Sequence, residues 1–412
     1  MDVVHTHCCG VDVHKKTMVA CLIVPGASAT PHKEIRTFGT MTADLLALVD
    51  WLVAAGCTHV AMESTGVYWK PLYNLLEGTL EVLVVNAQHI KNVPGRKTDV
   101  RDCEWIADLL RHGLLRASFI PDRPQRELRE LTRYRTSLIR ERSAEVNRLQ
   151  KTLEGANIKL AAVAHDIVGA SGRAMLAALL TGTLDAPEMA QLARGRLREK
   201  IPQLEQALLG HFGPHQRFMV TQQLVHIDTL DDLIERVSAE VTERLRPCAP
   251  ALAQLDAIPG VGRRTAEVLV AEIGLDLSRF PSAGQLAAWA GLAPGNNESA
   301  GQARRAPVRK GSPWLRAALV EAAQAAGRSK DSYLSAQYRR LAARRGKKRA
   351  AIAVAHSILT IAYHLLTTRQ PYCDRGVTYF AHRDRERVER RLVRRLEALG
   401  YTVSLQPPPS AA

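Results

Sequence analysis

No two cysteines in this sequence stand at a Cys-x-x-Cys spacing. The seven present, Cys8, Cys9, Cys21, Cys57, Cys103, Cys248 and Cys373, are odd in number and scattered. That pattern argues against a disulfide framework and against a zinc site, and reduced thiols in a cytoplasm are the simpler reading. The stretch Met1 to Gly10 has no apolar signal core. No uninterrupted apolar run reaches the ~20 residues that a membrane span needs. The expectation is a cytoplasmic protein with no membrane partner. Acidic residues are also in deficit, 41 Asp and Glu against 56 Lys and Arg, which leaves a net charge of +15. With a pI near 9.7, such a surface attracts polyanions, and nucleic acid is the commonest of these.

What is present organises itself in order. At 412 residues, with 46% hydrophobic and 24% charged residues, the chain suits two or three domains with real cores. Cys8 to Val13 and Thr17 to Val24 predict two strands around the turn His14-Lys15-Lys16, and Ile35 to Phe38 a third. Helical periodicity runs from Ala43 to Ala55. Thr58 to Met62 predicts a buried strand, Tyr68 to Leu76 a helix, Leu80 to Val85 a strand, and Asp99 to Leu110 a helix. A three-strand meander followed by alternating helix and strand is the order of an α/β RNase-H-like domain, expected over residues 1–120.

From about Pro124 the texture changes to long charged helices. Leu128, Leu131, Leu138, Val146, Leu149 and Leu153 recur at threes, fours and sevens in imperfect register, and Leu204 to Leu245 predicts a second helical stretch. Together they predict a mainly α-helical, coiled-coil-like region over 121–250, with a turn or small insertion around Gly169, Gly172, Gly182 and Pro187. An α-helical C-terminal domain is expected over 251–370. A basic tail follows over 371–412, with Arg383, Arg385, Arg387, Arg390, Arg391, Arg394 and Arg395 on one helix.

Four carboxylates attract attention. Asp12 ends the first predicted strand, Glu63 follows the later one, and Asp99 and Asp102 share one face of a predicted helix three residues apart. Carboxylates from strand ends and a helix can converge on a pair of divalent cations, which neutralise a scissile phosphate and activate the attacking oxygen. Oxygen-only ligands favour Mg²⁺ or Mn²⁺. Taken singly, an Asp after a strand is more often a turn residue, and Asp102 alone could simply pair with Arg101 or Lys97 in solvent.

Further along, Pro259-Gly260-Val261-Gly262-Arg263-Arg264 resembles a helix-hairpin-helix. Gly260 and Gly262 would let the backbone approach a phosphate, with Arg263 and Arg264 adding charge. Such a contact positions a duplex without reading its bases, and an ordinary turn between helices stands as the alternative. Trp289 to Gly301 is a small-residue loop carrying Ser299, followed by Arg304, Arg305, Arg309 and Lys310; Pro313-Trp314 then opens a helix. A serine ringed by guanidiniums can attack a phosphodiester, although local chemistry alone does not distinguish it from any loop serine.

Gly-Val-Asp-Val-His-Lys (10–15), Met-Glu-Ser-Thr-Gly (62–66) and Arg-Lys-Thr-Asp-Val-Arg-Asp (96–102), with the block from Ile258 through Trp314, resemble the DEDD transposases of the IS110/IS1111 insertion-sequence family. The resemblance spans nearly the whole chain. It implies a RuvC-like N-terminal domain, a dimerising coiled coil, and a C-terminal transposase domain whose serine-bearing element is Ser299-Ala300-Gly301. It also implies joining of DNA through a covalent phosphoserine, in a site composed of the carboxylates of one subunit and the serine of another. A structured noncoding RNA bridging target and donor DNA, and a homo-oligomer, dimer or tetramer, belong to the same implication. Cys103 departs from the family's usual Ala and is given no ligand role. Other readings are a site-specific DNA invertase of the same architecture, a RuvC-like junction nuclease that would not need Ser299, and a non-catalytic DNA-binding protein. The last gains nothing from clustered negative charge facing DNA.

Overall fold

The computed structural model describes residues 2–26, 30–86, 102–295, 298–299, 302–303, 308, 311–383 and 385–405, with the backbone alone at 298, 299, 302, 303, 381, 382 and 385–388. The chain divides into two compact units, Met1–Pro121 and Asp122–Ala412.

The first unit is a mixed sheet covered by helices on both faces. Strands β1 (Cys8–Val13), β2 (Thr17–Val24) and β3 (His32–Gly39) form an antiparallel meander. After helix α1 (Thr42–Ala54), strand β4 (His59–Glu63) pairs parallel to β1; after α2 (Lys70–Leu76), β5 (Glu81–Val85) pairs parallel to β4. The order across the sheet is β3-β2-β1-β4-β5. Side chains alternate faces along a strand, and both faces are apolar here. Val11, Met18, Leu22, Val60 and Met62 pack on Leu45, Leu48 and Leu52 of α1 and Leu72 and Leu76 of α2. Cys8, Cys21, Ile23, Ala61 and Val85 pack on the opposite face against Ile106, Ala107 and Leu110 of α3 (Asp102–Arg111).

The second unit is helical. The 33-residue helix α4 (Arg123–Gly155) starts at Asp122, whose carboxylate accepts from the Gln125 amide, and Pro124 sits in its first turn. It pairs with α9 (Pro214–Arg244) in antiparallel fashion: Arg244 reaches Glu127, Leu138 meets Leu230 and Ile234, and Gln223 donates to Thr152 at 3.1 Å. The imperfect apolar register of α4 has a cause, since Thr132, Arg135 and Glu145 lie buried among its leucines.

Between the two long helices a small helical subdomain has its own core. It contains α5 (Leu160–Val163), α6 (Ala170–Thr181), α7 (Ala186–Ala190) and α8 (Ile201–Ala207). Gly172, expected as a breaker, lies inside α6, where a Cβ would meet the Ile167 carbonyl oxygen at 2.1 Å. The expected continuous stretch from Leu204 to Leu245 is interrupted between α8 and α9. There Gly210 lies so close that a Cβ would come within 2.4 Å of the Ala156 carbonyl oxygen, and Pro214 opens a fresh helix.

Helices α10 (Ala249–Asp256), α11 (Arg263–Ile273), α12 (Ala283–Trp289), α13 (Pro313–Arg328), α14 (Tyr333–Arg345) and α15 (Lys347–Thr368) follow, and in the basic tail Arg383 ends the helix Tyr379–Arg383 while the other six expected arginines lie on the helix Arg385–Glu397. α15 is long and apolar enough to cross a membrane. Its Val354, Ile358, Leu359 and Ala362 are fully buried within the unit, as in a core helix.

Candidate active site

Asp12 and Glu63 stand side by side at one end of one sheet face, and the first turn of α3, with Asp102, lies toward the same end. The parallel register pairs Val11 with Met62, so Asp12 and Glu63 follow side by side on neighbouring strands. Both alternate onto the face that α3 covers, because Ala61 and Cys8 of the same parity pack there. Gly10 then decides how close α3 comes. A Cβ at Gly10 would stand 2.3 Å from the Cys103 carbonyl oxygen and 2.3 Å from the Ala107 nitrogen, so backbone meets backbone. α3 runs antiparallel to β1: Val4 donates to the Arg111 carbonyl at 2.9 Å, and the Cys8 thiol to that of Ala107. The first turn of α3, with Asp102, therefore lies toward the end of β1 that carries Asp12. Electrostatics agree, since burial foremost, and the Asp12 carboxylate in addition, push the Cys103 thiol up.

The side chains at this edge are engaged locally. Asp12 Oδ2 lies 3.0 Å from His14 Nε2, and Glu63 Oε1 accepts from the Thr65 hydroxyl at 3.2 Å. Among the described residues no three His, Cys, Asp or Glu side chains are close enough together to hold a metal ion. Asp99 lies outside the described residues. The donor set suits a hard cation in kind, being oxygen throughout. His14 is a neighbour the sequence reading passed over; its place two residues after Asp12, beyond a short strand end, was the available signal.

In the second unit, Ala257 to Gly262 joins α10 to α11. Gly260, at φ +87°, faces inward: a Cβ would meet the Ala322 carbonyl oxygen at 2.3 Å and the Ala326 nitrogen at 2.5 Å. Gly262 has open space around it, and Arg263 and Arg264 are exposed at the start of α11. Arg263 Nε donates to Glu267 at 2.9 Å, and the buried Glu267 carboxylate also pairs with Arg135 of α4 at 2.7 Å. Arg263 thus carries its charge as one member of an Arg–Glu–Arg triad.

The expected serine loop contains regular structure. Strands β6 (Glu298–Ser299) and β7 (Gln302–Ala303) pair antiparallel, Ser299 opposite Gln302, and Pro294 bridges to Val308 below them. Ser299 therefore sits beside the end of a β-hairpin. Arg304, Arg305, Arg309 and Lys310 lie outside the described residues.

A family model described as "Transposase", of the DEDD IS110 type, matches residues 9–158, and one described as "Transposase IS116/IS110/IS902 family" matches residues 252–339. The chain belongs to this IS110/IS116 transposase family. It is similar to the "Transposase for insertion sequence element IS1111A" of Coxiella burnetii, 25% identical over 88% of this chain and 90% of that one. It is also similar to a "Probable family 20 transposase" of Pseudomonas aeruginosa, 28% identical over 76% of this chain and 85% of that one. An insertion element IS116 protein of Streptomyces clavuligerus is 31% identical over 52% of this chain and 60% of its own length.

Proposed function

We propose that this transposase cuts and rejoins DNA strands through a divalent-cation site formed by Asp12, Glu63, Asp99 and Asp102, with Ser299 as the nucleophile that becomes a covalent phosphoserine. The observation that carries the proposal is the Gly10 contact, which lets α3 lie on β1 and brings the positions of Asp12, Glu63 and Asp102 to one end of one sheet face. Strand order supports an RNase-H-like, RuvC-like reading of the first unit, with an antiparallel meander on one side and parallel strands on the other. In this reading residues 1–120 are catalytic, 121–250 dimerise, 251–370 carry the serine, and 371–412 are a basic tail. A structured noncoding RNA as guide and a dimer or tetramer as working state follow from family likeness alone, as does action at the nucleoid in a prokaryotic cytoplasm.

Mg²⁺ or Mn²⁺ held by the carboxylates would supply charge neutralisation and a more acidic attacking oxygen. The remaining steps belong to the chain. Ser299 Oγ attacks phosphorus; a serine–phosphorus bond forms as the bond to the departing strand breaks, the hydroxyl proton leaves to a base, and the departing oxygen takes one up. An incoming strand hydroxyl then displaces Ser299 with the same bond balance, so no external energy source is consumed. Arg304, Arg305, Arg309 and Lys310 stabilise the charge of the transition state. The turn at Gly262, where the backbone has open space, holds duplex backbone with Arg263 and Arg264, while Gly260 faces inward and takes no part in the contact.

Asp12→Asn, Glu63→Gln, Asp99→Asn and Asp102→Asn should each reduce strand cleavage by more than about 100-fold, with circular dichroism and DNA affinity retained. Full cleavage by the Asp12 and Asp102 variants at matched Mg²⁺ would sink the carboxylate site.

A further inference from the structure

A buried carboxylate, Glu272, touches Ser312 at the end of the segment that carries Ser299, and it has no part in the proposed reaction. Glu272 is 1% exposed and stands in the last turn of α11, where a negative charge opposes the helix dipole. Its cost to that helix is repaid by other contacts. Arg133 of α4 grips it with two hydrogen bonds, Nε to Oε1 at 2.7 Å and Nη2 to Oε2 at 2.9 Å. Ser312, the N-cap of α13, donates its hydroxyl to Oε2 at 3.1 Å.

Ser312 is one foot of the hairpin, and Trp289 is the other. The feet touch: a Cβ at Gly311 would lie 2.4 Å from the Ala290 carbonyl carbon and from the Gly291 nitrogen. The α4 surface that holds Glu272 also holds both feet. Arg129 donates to the carbonyls of Ala271 and Glu272 and stacks over the Trp289 ring at 6.0 Å. Arg140 lies over Trp314, just beyond Ser312, at 5.2 Å. Positions 129, 133 and 140 are spaced by four and seven, one face of one helix.

We propose that Glu272 is the positioning residue of this hairpin: its carboxylate, clamped by Arg133, locks the Ser312 foot to the long helix α4 and so sets how Ser299 is presented. The proposal rests on the reading of Ser299 as nucleophile. Stability alone is a poor reason for such a buried ion pair, because well-packed apolar residues serve stability as well or better, whereas a pair that fixes register has a use.

The full-length protein supports a test by donor–acceptor reversal. Ser312→Asp keeps a good N-cap for α13 but sets a carboxylate against Glu272. The double variant Glu272→Gln/Ser312→Asp restores a donor–acceptor pair with its direction reversed. Two readouts are taken: amide hydrogen exchange over residues 290–311, and the rate of covalent protein–DNA adduct formation at saturating DNA. Ser312→Asp should speed exchange in that segment and slow adduct formation about tenfold, with DNA affinity unchanged. The double variant should recover both to within about threefold. Wild-type exchange in Ser312→Asp, or no recovery in the double variant, overturns the lock and leaves the Ser299 reading standing. An adduct that maps outside the segment, with the exchange pattern as expected, overturns the Ser299 reading and the presenting role with it.

Discussion

Five of the seven cysteines, Cys8, Cys9, Cys21, Cys57 and Cys103, are buried in the first unit, and all seven are free. Burial pushes the Cys8 thiol up to about 11 and those of Cys21 and Cys57 up to about 12, from an ordinary value near 9. These groups stay neutral and unreactive at physiological pH, packed as small apolar side chains. The sign of the linkage follows. A raised folded pKa contributes stability that is whole below pH 9 and is lost as pH rises through 11 to 12. The urea midpoint of this unit should therefore fall between pH 9 and 12, and fall less steeply in Cys21→Ala. Equal slopes in the two proteins, measured by tryptophan fluorescence, would contradict the assignment.

At the scale of elements, the closeness of α3 to β1 depends on a missing side chain. Gly10→Ala forces a Cβ into two backbone atoms at 2.3 Å, where no flexible side chain can yield. The helix must shift, at a cost of about 1–3 kcal/mol or more, and Asp102 moves with it. The expected result is a lower melting temperature together with a loss of cleavage larger than the loss of folded protein. Activity that simply tracks the folded fraction would show that α3 has no positional role.

The element order of the first unit was legible, because apolar alternation and turn residues are local signals; β3 proved longer than expected, running from His32 to Gly39. What Gly10 and Gly260 do was not legible. Their partners, α3 and α13, lie far along the chain, and a glycine that admits another helix reads in sequence like one that admits a phosphate. The same holds for Arg135 of α4, which breaks the apolar pattern and finds its partner, Glu267 of α11, only in the folded protein. The serine segment read as loop because its strands are only two residues long each, too short for an alternating pattern.

Over the whole molecule, the excess of 15 positive charges favours polyanion binding. Each phosphate neutralised should contribute about −0.9 to the slope of log K against log salt on duplex DNA. A flat salt dependence, read by fluorescence anisotropy, would remove the electrostatic part of the account. The central claim, that Ser299 carries a DNA strand in covalent linkage, has a more direct measure. Protein incubated with DNA bearing the element's ends and Mg²⁺ is denatured, digested with protease, and the DNA-linked peptide is sequenced by mass spectrometry. The predicted result is a phosphodiester on Ser299, absent from Ser299→Ala and from Asp12→Asn. An adduct on another residue, or full recombination by Ser299→Ala with no adduct at all, would contradict it.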